Sequence, residues 1–419
     1  MKTLSRKMMS KISDALQVSP IVFVNGPRQA GKSTLVQALA KKISHKKSPI
    51  EYLSFDKPVQ MAAAASEPEA FLASREGMLI IDEVQMVPEI FRALKIVVDN
   101  LRRTHKLTAN GRFLLTGSAN IMALPKLSDA LVGRMSVMTL YPFCVAESLS
   151  TKSNALDRMM DQNLSGLKDL GISLVDAIKL GTFPEISSMK AKERSIWFDG
   201  YLTTILQRDV RMLAELEKIS LLPSLLRLLA TRAGNLINDA DIARSIGLNA
   251  VTGKVYRTIL QMMFLTVDIP PWFRNIGKRL VKSPKGYLTD SLLLCHMLGV
   301  NVEDLRRKNP ELYGHVVENF VATEILKQLT FNQSKAQLFH FRTADGTEVD
   351  FVLEKPDGSI LGIEVKTSEL VTAKDFKGLN MLESIAQDNF IGGIVLYSGK
   401  EVVPFGKKRW AVPFHILWQ

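Results

Sequence analysis

Three short apolar runs punctuate the first part of the chain: Ile21 to Asn25 (IVFVN), Met78 to Ile81 (MLII) and Arg112 to Leu115 (RFLL). Runs of this length, β-branched and bounded by turn residues, predict buried strands of a parallel sheet. Helical three- and four-residue spacing follows the first run (LVQALAKKI) and dominates residues 151 to 230, in IWFDGYLTTILQRDV and LLPSLLRLLATRAG. At Asn238 to Ile246 a capping residue precedes a periodic run. Gly247-Leu248-Asn249 makes a turn, and Ala250 to Met262 a second helix, which is helix-turn-helix spacing. Phe264 to Val267 and Arg279 to Lys282, joined by a Pro-rich loop, are expected to form a β-wing. Further on, Tyr313 to Leu329 predicts an amphipathic helix. LFHFRT, EVDFVLE and ILGIEVKTS then read as successive strands, divided by Asp345-Gly346 and Asp357-Gly358 turns.

The chemistry sits at the ends of these elements. GPRQAGKST follows the first strand directly and fits G-x-x-x-x-G-K-[ST] from Gly26 to Ser33 without a mismatch. The loop Gly26, Pro27, Arg28, Gln29, Ala30, Gly31, Lys32, Ser33 and Thr34 is expected to wrap the phosphates of ATP with backbone N–H groups at a helix N-terminus. Lys32 would reach the β- and γ-phosphates, and the Ser33 hydroxyl would ligate Mg²⁺. The second strand ends in Asp82-Glu83, which reads as a carboxylate for the Mg²⁺ shell followed by one that polarises the attacking water. The alternative is that the two merely cap the next helix. The third strand ends in Thr116-Gly117-Ser118, so Thr116 or Ser118 is a candidate γ-phosphate sensor. Arg134 is a candidate arginine finger, or a surface arginine in a turn.

In the C-terminal part, Glu364 and Lys366 are two apart on one strand and share a face, and Asp350 lies on the strand expected to pair with it. Two carboxylates and a lysine at adjacent strand ends are able to hold Mg²⁺ and activate water against a phosphodiester. With Glu318 on the preceding helix, the order looks like the PD-(D/E)xK nuclease signature. Its alternative is a Glu364–Lys366 salt bridge on a binding relic. His315 and His340 have no metal-ligand spacing and read as structural.

Composition narrows the class. With 419 residues, 46% of them hydrophobic and 23% charged, the chain is a folded protein of more than one domain. The formal charge of +12 makes a polyanionic partner such as DNA an expectation, with Lys254 and Arg257 on the second helix and Arg274, Lys278 and Arg279 in the loop as phosphate contacts. Cys144 and Cys295 lie in apolar stretches and read as buried free thiols. The basic N-terminus reads as an amphipathic helix rather than an export signal, and no run of about 18 apolar residues suggests a membrane span. A cytoplasmic location is expected.

The order GPRQAGKSTL, LIIDEVQMVPEIF, RFLLTGSANI, LVGRMSVMTLYPF, GTFPEI and WFDGYLTTILQRDV resembles the prokaryotic AAA-plus ATPases that carry a C-terminal domain of unknown function. The resemblance runs from about residue 18 to residue 400. It implies an α/β fold with a P-loop AAA-plus parallel sheet domain, a helical and winged-helix middle, and a C-terminal restriction-endonuclease-like α/β domain. Boundaries at 1–150, 151–300 and 301–419 follow. Ser54 to Pro58 departs from the family, which usually has a more acidic run there. The functions implied are an ATPase driving a winged helix and a nuclease-like domain on DNA, a signal-transduction-type ATP switch binding a protein partner, or a DNA-binding ATPase without cleavage. A homo-oligomer is expected.

Overall fold

The computed structural model describes residues 5–43, 49–104, 109–120, 131–151, 155–213, 218–275, 277 and 282–419. The chain divides into two units, residues 1–142 with 262–264, and residues 143–261 with 265–419.

The first unit is built on five parallel strands: β1 (Ile21–Asn25), β2 (Ile50–Ser54), β3 (Met78–Asp82), β4 (Phe113–Gly117) and β5 (Met135–Thr139), in the order β2-β3-β4-β1-β5. β1, β3 and β4 are buried along their whole length, which is why they read as unbroken apolar runs. Helices α1 (Met9–Val18), α2 (Lys32–Ile43) and α3 (Ile90–Thr104) accompany the sheet. Ile12 and Leu16 of α1 and Leu35, Val36 and Leu39 of α2 join Val22, Val24, Ile80 and Leu114 in one apolar cluster. On α3 the buried residues are Ile90, Phe91, Leu94, Val97 and Val98, a stripe of helical period. The third strand starts one residue later than its sequence suggests and runs on through Thr116, so the polar tip belongs to the strand itself.

The strand order is what makes a site. β4 lies between β1 and β3, so Thr116 and Ser118 emerge between the loop that follows β1 and the Asp82-Glu83 pair that ends β3.

In the second unit, α4 (Asp239–Ser245) and α5 (Ala250–Met262) form the helix-turn-helix. Asn238 caps α4 by accepting from Asp241 N at 3.1 Å, as the capping signal predicted. The hairpin that follows pairs β6 (Thr266–Ile269) with β7 (Lys285–Leu288), antiparallel. The expected partner at Arg279 to Lys282 lies almost wholly outside the described residues, as do Lys278 and Arg279, and the strand that does pair begins six residues after the expected start. Phe264 is no part of the hairpin: its φ of 57° is left-handed, a turn conformation that ends α5 before β6 begins.

Helix α6 (Pro310–Leu329) is followed by β8 (Gln337–Arg342), β9 (Glu348–Glu354) and β10 (Ile360–Lys366), an antiparallel meander. Helix α7 (Lys377–Ala386) then crosses to β11 (Phe390–Tyr397), parallel to β10. With β12 (Val403–Pro404) and β13 (Arg409–Pro413) the sheet order is β12-β13-β11-β10-β9-β8. Helix α6 is not amphipathic as expected. Val316, Val317, Asn319, Phe320, Val321, Thr323, Glu324 and Ile325 are all buried, so the helix is enclosed on every side. Its polar residues have internal partners: Glu324 accepts from Val145 N at 3.0 Å, and Lys327 donates to Gly181 O at 2.7 Å. Cys144 and Cys295 are buried and free, and burial raises both thiols out of the reactive range.

Candidate functional site

In the first unit the loop after β1 turns on Gly26, whose φ is 146°. A Cβ there would lie 2.1 Å from the carbonyl oxygen of Leu140, so only glycine lets the loop start this close to the sheet. Gln29 and Gly31 also have positive φ, at 59° and 92°, and Pro27, Arg28 and Ala30 fill the rest of the turn into α2. Lys32 is buried and folds back on the loop, donating to Gly26 O at 2.9 Å and Pro27 O at 2.8 Å. Ser33 is half-buried and Thr34 exposed at the helix start.

Asp82 is buried and held from two sides. Tyr52 donates to its Oδ2 at 2.7 Å, and Thr116 donates to Oδ1. Burial and the bond to Asp82 push the Tyr52 phenol up to about 12, so it stays a donor. Glu83 adopts φ 57° and ψ 45°, a left-handed conformation that turns its side chain toward the tip of β4. There Ser118 donates to Glu83 Oε2 at 3.0 Å, Gln85 also donates to it, and the Glu83 N–H reaches Thr116 Oγ1 at 3.3 Å. Neither carboxylate caps the next helix; both belong to one network with Thr116 and Ser118. A hydroxyl from Ser33 and a carboxylate from Asp82 are hard oxygen donors, the set that suits Mg²⁺ beside phosphate.

Arg134 is not extended toward open solvent. Its Nε and Nη2 grip Asp99 of α3 at 2.7 and 3.0 Å, and Nη1 donates to Val132 O at 3.1 Å. That hydrogen bond holds the Asp99 carboxyl below its ordinary value and the guanidinium above its own.

In the second unit, Arg257 is withdrawn from any partner surface. It is buried and pairs with Asp239 at 2.7 Å and Asp268 at 2.5 Å. It ties α4 and α5 to β6, so the expected phosphate contact is an internal ion pair. Lys254 remains exposed on α5, beside Val251 and Val255. Arg274 is also exposed and bonds Gln387 at 3.2 Å.

The C-terminal sheet brings Asp350, Glu364 and Lys366 together. Asp350 Oδ2 accepts from Val365 N at 2.9 Å across the β9–β10 pair, and Lys366 donates to Glu364 Oε1 at 2.9 Å. Two further residues, not anticipated from sequence, complete the cluster. Lys285 of β7 is buried and lies 3.1 Å from Glu318 Oε1 and 3.5 Å from Asp350 Oδ1; Tyr287 donates to the same Glu318 oxygen at 2.7 Å. Lys285 and Tyr287 are two apart on one strand and share its face, which was the available signal. Burial and the Asp350 charge push Glu318 up to about 7 and Glu364 up to about 8. Burial works against the Lys285 ammonium, yet Asp350, Glu318 and Glu348 together hold it above its ordinary value.

A divalent metal does not fit this arrangement as it stands. Both Asp350 oxygens and one Glu364 oxygen are already engaged, and among the described residues no three His, Cys, Asp or Glu side chains gather as ligands.

Residues 18–149 match the family model described as an AAA domain. Together with the intact P-loop and the strand order, this makes that segment an AAA-type P-loop α/β domain. Residues 172–304 and 313–417 each match a model described only as a domain of unknown function. An uncharacterised protein of Mycobacterium tuberculosis is 29% identical over 412 residues, covering 97% of this chain and 83% of its own. Another, from Haemophilus influenzae, is 24% identical over 361 residues, with 82% of each chain covered. Among solved structures, a Walker-type ATPase of Pyrococcus abyssi aligns over 70% of this chain and 95% of its own, with 14% identity and a TM-score of 0.39. The replication initiator DnaA bound to AMPPCP and single-stranded DNA aligns over 61% and 86%, with 14% identity and a TM-score of 0.30. Likeness at that level adds no weight. No helix among the described residues is long and apolar enough to cross a membrane.

Proposed function

We propose that this protein is a Mg²⁺-dependent ATPase of the AAA-plus type whose nucleotide state governs a winged helix and a C-terminal nuclease-like domain acting on DNA. The observation that carries the ATPase reading is the network joining Asp82, Glu83, Thr116 and Ser118 beside a P-loop whose lysine is folded in place. In this reading Lys32 exchanges its two carbonyl partners for phosphate oxygens, a stronger, charge-assisted contact. Ser33 and Asp82 would hold Mg²⁺, which when bound would neutralise phosphate charge. Glu83 accepts a proton from the attacking water, and Ser118 and Gln85 keep its carboxylate aimed until then. Thr116 carries the state of Asp82 to the tip of β4. A trans-acting role for Arg134 requires its pair with Asp99 to open. The support for domains at 1–150, 151–300 and 301–419 is the parallel sheet, the hairpin and the mixed sheet, the last two lying within one compact unit.

The nuclease-like fold is supported by the α-β-β-β-α-β order from α6 to β11, with Asp350 on the second strand and Glu364-Val365-Lys366 on the third. Engagement of those carboxylates by lysines favours a second reading, binding of DNA or a protein partner without cleavage. The decisive comparison is wild type against Lys32→Ala, Glu83→Gln and Asp350→Ala, in ATP turnover with and without DNA and in Mn²⁺-dependent cleavage of plasmid and single strands. Lys32→Ala is expected to lose nucleotide binding. Glu83→Gln is expected to keep it while turnover falls about 100-fold or more. Unchanged turnover in both would end the ATPase reading. Absence of both cleavage and DNA stimulation would leave an ATP-gated protein switch.

A further inference from the structure

The hairpin after the helix-turn-helix sends one buried ammonium, that of Lys285, into the carboxylate cluster of the C-terminal sheet. Lys285 begins β7, where its backbone is fixed by pairing with Ile269 on one side and a bridge to Leu236 on the other. Its side chain is only 3% exposed and ends between Glu318 of α6 and Asp350 of β9. Tyr287, in phase with it on the strand, fixes the Glu318 carboxylate from the same side. The ammonium therefore stands against Asp350, the carboxylate that the strand order sets beside Glu364.

Two further observations bear on what this position is for. Glu364 Oε2 is buried and has no hydrogen-bond partner, although its other oxygen is taken by Lys366. A cleft of about 280 Å³, lined among others by Glu348, Glu364, Lys366, Lys374 and Lys377, opens onto that carboxylate. A small cation thus has a way in and one vacant oxygen to meet, but Asp350 has no oxygen left to offer it.

We infer that Lys285 is a built-in counter-cation: it takes the place of a divalent metal at the Asp350–Glu364 pair and keeps the C-terminal site metal-free while β7 is seated. An ammonium supplies one positive charge and no coordination sphere, so it offsets part of the cluster's negative charge without adding a Lewis acid. The inference rests on the nuclease-like reading of this sheet only for the identity of the competing ion.

The test uses the full-length protein without nucleotide. Free Mn²⁺ is followed by its paramagnetic resonance signal, and the share due to this site is taken as the binding lost on adding Asp350→Asn. Wild type and Lys285→Arg are expected to have no Asp350-dependent Mn²⁺ binding. Lys285→Met is expected to gain one such site, with an affinity at least tenfold above the weakest Asp350-dependent binding the signal can detect. Because that variant leaves buried carboxylates uncompensated, Lys285→Met/Glu318→Gln serves as a charge-balanced second variant that keeps Asp350 and Glu364. Asp350-dependent binding in wild type equal to that in the Lys285 variants overturns the inference, and so does a folded charge-balanced variant that binds no Mn²⁺. Cleavage is scored separately. Lys285→Met that binds Mn²⁺ but leaves plasmid intact sinks the nuclease reading and upholds the counter-cation. Wild type that cleaves with Mn²⁺ through Asp350 does the reverse.

Discussion

Arg257 and His340 illustrate how burial reassigns a polar residue. Arg257 sits on the second helix of the helix-turn-helix, but its guanidinium is spent on Asp239 and Asp268, both about a quarter exposed. Removing one partner of such a set strands the others, so Arg257→Met is expected to lower unfolding free energy by about 2–3 kcal/mol, below the full cost of a wholly buried pair. Urea unfolding checks this, and a loss under 0.5 kcal/mol would mean the pairs are ornamental. DNA affinity should follow Lys254 instead. His340 is pushed down to about 4, first by burial and then by Lys285. The folded state thus keeps the ring neutral, while the unfolded chain takes up a proton near pH 6.5. The stability that neutral His340 provides is full above pH 6.5 and is lost as pH falls toward 4, by roughly 3 kcal/mol if the whole shift is expressed. His340→Gln should flatten that part of the pH–stability curve relative to wild type, and parallel curves would count against it.

Elements explain why some of the site was legible and some not. The P-loop, its strand and its helix are contiguous, so local pattern was sufficient to find them. Asp350, Glu364 and Lys366 were legible because strand alternation and the Asp357-Gly358 turn bring them together within 17 residues. Lys285 and Tyr287 come from a hairpin more than 30 residues before Glu318 in sequence, and their two-residue spacing announces a shared face but not what that face meets. Helix α6 was misread because a few charged residues suggested a wet face, whereas Glu324 and Lys327 are buried with each other and with backbone groups. Helix α7 has its own constraint. A Cβ on Gly378 would lie 1.9 Å from the carbonyl oxygen of Glu348, so the helix packs backbone-close to the start of β9. Gly378→Ala is expected to lift that end of the helix and cost about 2–3 kcal/mol. A melting midpoint unchanged within a degree would show that the contact is easily relaxed.

For the molecule as a whole, the two units have separate sheets and separate cores. A ligand that binds only one folded unit stabilises only that unit, by about 2.7 kcal/mol at a hundredfold excess over its Kd. Calorimetry with saturating Mg·ATP is therefore expected to raise one transition, and Lys32→Ala to abolish the shift. An equal shift in every transition would mean that the units unfold together.

The backbone that follows β6 matters at the edge of the C-terminal sheet. Strand β8 is the outermost of the C-terminal sheet, and an outermost strand offers unpaired N–H and C=O groups to any passing chain. Here Pro270 to Trp272 cover that rim: His340 N donates to Pro270 O at 2.9 Å, and Trp272 N donates to His340 O at 2.6 Å. Pro271, which has no N–H to extend the ladder, lies between those two bonds. Severing the chain near residue 300 would uncover a sticky rim, so the isolated C-terminal piece should self-associate through β8, a route that Pro270 to Trp272 keep covered in the intact chain.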